Sequence, residues 1–68
     1  MRYAIIKDPE KIGMDPDLFT KTDQGIIVNE NDIFNSNIPG DTVEEKAKNA
    51  GTELISLETL KNKTRNGK

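Results

Sequence analysis

The side chains of this chain that can do chemistry are carboxylates, lysines, hydroxyls and one phenol, because its 68 residues include no histidine and no cysteine. Without an imidazole nothing titrates near neutrality by default. Without a thiol there is no cysteine nucleophile, no zinc knuckle and no disulfide. Three patterns remain. Asp8-Pro9-Glu10 and Asp15-Pro16-Asp17 repeat an acidic motif that could offer oxygen ligands to magnesium or calcium. The 12 acidic residues leave paired-carboxylate catalysis formally open. Lys61, Lys63, Arg65 and Lys68 close the chain with no acid among them, a pattern that suits contact with an anionic partner.

The first two patterns weaken on inspection. Each Asp-Pro motif has the chemistry of a helix start, with a capping carboxylate, a proline suited to the first helical position and a further acid at the positive end of the dipole. An EF-hand loop with its glycine on Gly25 would put Thr20, Thr22, Gln24 and Asn31 at ligand positions, and not one is a carboxylate. The glycines are dispersed and form no phosphate-binding loop. The only serines are Ser36 and Ser56, and no spacing suggests a Ser–Lys nucleophile. A chain with three aromatic residues has little wall from which to build a catalytic pocket. The expectation is a non-catalytic protein with no cofactor and no metal. A carboxylate-dependent magnesium enzyme is the weakest reading.

Charge is unevenly spread. Residues 1–60 carry a net charge of −6 and residues 61–68 carry +4. An acidic body with no basic stripe lacks the footprint of a nucleic-acid binder, so that class depends on the tail alone. The chain is expected to be a protein-interaction or regulatory module whose partner is another protein or a second copy. The alternative is a nucleic-acid-associated accessory protein acting through Lys61, Lys63, Arg65 and Lys68. A small core makes such an association energetically useful. The opening apolar run, Tyr3-Ala4-Ile5-Ile6, is too short for a signal peptide, and nothing approaches a membrane span. A cytoplasmic location, with no membrane partner, is therefore expected.

The elements that must position these residues read as a single small α+β domain over residues 1–63, followed by a flexible basic tail at 64–68. Strands are expected near 2–7, 19–22, 26–29 and 52–55, giving a three- to four-stranded sheet. Residues 19–22 and 26–29 flank Asp23-Gln24-Gly25, the composition of a hairpin turn. Ile26-Ile27-Val28 is the densest β-branched run and is placed beside the first strand at the sheet centre. Asn29 with Asp32 predicts a capped helical turn, and residues 35–40 form a loop by composition. Helices are expected near 43–50 and 57–63, packed mainly on one face. Thr42 with Glu45 has capping-box spacing, Gly51 stops the first helix, and Ser56 caps the second. The predicted core is Ile5, Leu18, Phe19, Ile27, Phe34, Val43, Leu54, Leu57 and Leu60.

Overall fold

The computed structural model describes residues 1–64. It contains strands β1 (Tyr3–Ile6), β2 (Thr20–Thr22) and β3 (Gly25–Asn29), and helices α1 (Glu30–Phe34), α2 (Val43–Asn49) and α3 (Leu57–Thr64). Two short 3₁₀ turns, Pro9–Ile12 and Pro16–Leu18, connect β1 to β2. This is the small α+β domain read from the sequence, with three strands. Both strand pairs are antiparallel and β3 is central, in the order β1-β3-β2.

The expected fourth strand at 52–55 shrinks to one bridge, between Tyr3 and Ile55, with two backbone hydrogen bonds of 2.7 Å. Two hydrogen bonds from Thr52 explain why the ladder stops. Its hydroxyl donates to the Ile5 carbonyl at 2.9 Å, the acceptor that the next rung would use, and its amide donates to the Ala47 carbonyl at 3.0 Å. The segment is committed to closing α2 before it can extend as a strand.

Strand pairing divides the sheet into two faces. Ala4, Ile6, Ile26 and Val28 share one face and are buried with Met14, Ile33, Ile38 and Ala47. Tyr3, Ile5, Ile27 and Ile55 share the other and are only partly buried. Ile5 and Ile27 therefore lie outside the main core. Both strands are apolar at successive positions, so alternation could not choose the face, and the small Ala4 takes the most enclosed place. Helices α1 and α2 cover the main core. Helix α3 instead meets β1 with Leu60 buried outside the main cluster, and its Lys63 shares a cleft with Ile5. It caps the second face, apart from α2.

Of the other predicted core residues, Phe19, Val43 and Leu54 pack at the margin, whereas Leu18, Phe34 and Leu57 are exposed. Leu18 ends a three-residue turn, and the chain then becomes extended at Phe19, so Phe19 faces in. Helix α1 has five residues and gives its inward position to Ile33, leaving Phe34 outside. Leu57 opens α3, where one side remains uncovered.

The capping signals are mostly realised. Asn29 and Asp32 form a reciprocal capping box on α1, with hydrogen bonds of 2.8 and 3.0 Å. The Thr42 hydroxyl accepts from the Glu45 amide, but the Glu45 carboxylate reaches the amide of Asp41 instead of Thr42. Ser56 accepts from the Thr59 amide at the start of α3. The Asp-Pro doublet divides. Asp15 accepts from the Asp17 amide at 2.9 Å, while Asp8 makes no side-chain cap and holds its turn only through its carbonyl, which accepts from Lys11.

Candidate functional site

One groove combines exposed apolar surface with polar groups of a single sign. It lies between residues 13–19 and α1, has a volume of about 300 Å³, and is lined by Met14, Leu18 and Phe19 together with Asp15, Asp32 and the polar residues that end α1. Met14 is nearly buried and forms the floor, and Phe19 anchors one wall to the core. Leu18 is 75% exposed. A single exposed leucine is ordinary on a protein surface. This one stands beside two further apolar side chains, and no lysine or arginine among the described residues lines the groove.

Local structure fixes the acids. Asp15 is held by its bond to the Asp17 amide and Asp32 by its place in the α1 capping box, and each uses one carboxylate oxygen for the purpose. The second oxygen of each makes no hydrogen bond among the described residues. Asp32 and Asn35 are three residues apart, so they project from the same side of α1. The arrangement can grip a partner that offers an apolar side chain next to a cation. The sequence placed Leu18 and Phe19 in the core and the acids in caps. The contrast between exposed Leu18 and half-buried Phe19 comes from the turn geometry, which composition does not reveal.

The basic candidates are only partly brought together. Lys61 and Lys63 are exposed on α3, and a two-residue spacing turns them toward opposite flanks of the helix. Lys63 lines a cleft with Lys7 at the end of β1, and its carbonyl accepts a 2.6 Å hydrogen bond from Gln24. Arg65 and Lys68 lie outside the described residues, as does most of the expected tail; Thr64 is the last residue of α3. A neighbouring cleft of about 400 Å³ holds Lys7, Lys11 and Lys21, which sequence reading passed over, but Asp8 and Glu10 line it too. Its mixed charge favours no single ligand sign.

Exposed ion pairs account for the resolved pKa shifts. Arg2 donates to Glu44 and to Glu30, both at 2.9 Å, which ties β1 to α2 and α1. Hydrogen bonding to Glu44, and then to Glu30, raises the Arg2 pKa, and bonding to Arg2 lowers that of Glu44. Lys21 and Asp17, 2.6 Å apart, do the same for each other, with Lys21 raised and Asp17 lowered. The lowered carboxyls contribute stability above their ordinary values near pH 4 and lose it as pH falls further. The raised cations contribute below their ordinary values, above about pH 10, and lose it as pH rises further. Stability is therefore expected to be flat between pH 6 and 9. Denaturant midpoints across that range test this, and a titration step within it would contradict the assignment.

Among the described residues, no group of three or more acidic side chains gathers to hold a metal ion, and no helix is long and apolar enough to cross a membrane. Comparison with protein-family models, with curated proteins and with solved structures finds no match to this chain.

Proposed function

We propose that the chain is a non-catalytic protein-interaction module and that the groove of Met14, Leu18 and Phe19 is its contact surface. The observation that carries this reading is the 75% exposure of Leu18 beside a rim whose only charged groups, among the described residues, are Asp15 and Asp32. A regulatory role would follow from occupancy of this groove by a partner.

The test compares the wild-type chain with Leu18→Ser, each immobilised and exposed to lysate. Leu18 is exposed, so the substitution should change stability by no more than about 0.5 kcal/mol. Proteins retained by the wild type should be lost from the variant. Equal retention by both, with folding intact, would remove the groove from consideration.

The alternative reading, a nucleic-acid-associated protein, is supported by the cleft that Lys63 shares with Lys7 and by the cations that follow in sequence. It has less behind it, because Lys61 faces away from Lys63 and Glu53 lines the same cleft.

A further inference from the structure

We infer that the occupant of the groove is a second copy of this chain, which inserts the Leu57–Lys61 side of its helix α3 in a head-to-tail contact. The inference rests on the reading of the groove as a protein-contact surface and names its partner.

The groove requires an apolar side chain next to a cation, and helix α3 presents such a pair on an exposed side. The chain's exposed large apolar side chains are Met1, Leu18, Phe34 and Leu57. Leu18 belongs to the groove. Met1 adjoins Arg2, whose guanidinium is already engaged by Glu30 and Glu44. Phe34 lies on α1, which carries no lysine or arginine to stand beside it. Leu57 is 46% exposed, and Lys61 lies one turn further along the same side of α3. Lys61 makes no ion pair among the described residues, so it can meet Asp15 or Asp32 without breaking an existing contact.

Position excludes closure within one molecule. The groove opens beside Met14 on the main core, while α3 covers the opposite face of the sheet. An α3 therefore reaches a groove only on another copy. Because the groove and α3 lie on opposite faces of the sheet, such a contact propagates or closes a ring. The charge division along the sequence, −6 over residues 1–60 and +4 over residues 61–68, suits the same polarity.

The experiment is sedimentation of the full chain with two exposed-site variants, Leu18→Ser in the groove and Lys61→Glu on the helix. The wild type should show a weight-average mass that rises above 7.6 kDa with concentration and falls with added salt. Each variant alone should remain monomeric. Their equimolar mixture should form a species of twice the monomer mass and nothing larger, because the intact helix of one fits the intact groove of the other. A wild type that stays monomeric at millimolar concentration overturns the inference. So does self-association of either variant alone, or a mixture that stays monomeric. If the wild type is monomeric but captures another protein through Leu18, the partner assignment fails and the interaction reading stands. If neither occurs, both fail.

Discussion

Replacing Gly25 by alanine is expected to cost about 2–6 kcal/mol, enough to unfold much of the protein at ambient temperature. Two independent effects add. Gly25 has a φ of +135°, a conformation that residues with a side chain rarely adopt. A β-carbon there would also lie 2.1 Å from the Ile6 carbonyl oxygen and 2.9 Å from the Lys7 α-carbon. Both neighbours are backbone, so no side chain can swing aside. The end of the β1–β3 ladder, where Ile6 pairs with Ile26, would have to open. A domain of 68 residues has a total stability of about 3–10 kcal/mol at typical values per residue, so the loss is a large share of the whole. Gly13→Ala supplies the comparison. Gly13 has a φ of +77°, but a β-carbon added there would meet no atom within 4 Å, so only the conformational term applies, at about 1–2 kcal/mol. Urea unfolding of both variants separates the terms. Equal losses would mean that the close approach of the hairpin turn to β1 is absent in solution.

Particular residues show how much of this fold the sequence carries. The hairpin was legible because β-branched runs flank a turn that ends in glycine, and the hydrogen bonds around Thr22 and Gly25 complete it locally. Caps were legible for the same reason, since a donor and an acceptor three residues apart need no tertiary information. The core was less so. Ile38 is 2% exposed, yet it sits in a segment whose asparagines, proline and glycine read as loop. That segment is held by bonds from α2 that composition does not announce. The Lys46 ammonium donates to the carbonyls of Ser36 and Ile38, and Asn49 donates to that of Pro39. The groove was hidden because its acids already had a satisfactory local explanation. Asp15 and Asp32 are indeed caps, and capping occupies only one oxygen of each. Which apolar residue stays outside depended on turn geometry at Leu18 and Phe19, a property of three or four dihedral angles that hydrophobicity does not encode.

Alanine substitutions at Ile26 and Ile27 should differ clearly in cost. Ile26 is 2% exposed and sits opposite Ile6 on the main core, so its truncation leaves a cavity within the cluster that also holds Ala4, Val28 and Ile33. The cost is expected to be about 2–5 kcal/mol, the range for a buried isoleucine cut to alanine. Ile27 is on the same central strand, with the same β propensity and the same backbone pairing, opposite Ile5 and Thr20. It is only partly buried, so water can enter the space left behind, and about 1–2 kcal/mol of transfer energy should be lost. Because backbone, residue type and strand are shared, the difference isolates which face of β3 meets the core. Thermal or urea unfolding measures it directly. The reverse order would require a one-residue shift in the β1–β3 register, which exchanges every side chain of β3 between faces. That shift would turn Ile26 and Val28 away from the face that Ala4 and Ile6 present, leaving α1 and α2 without the central strand's share of the core. The ranking of these two variants thus tests the register on which the placement of α3, the groove and its acidic rim all depend.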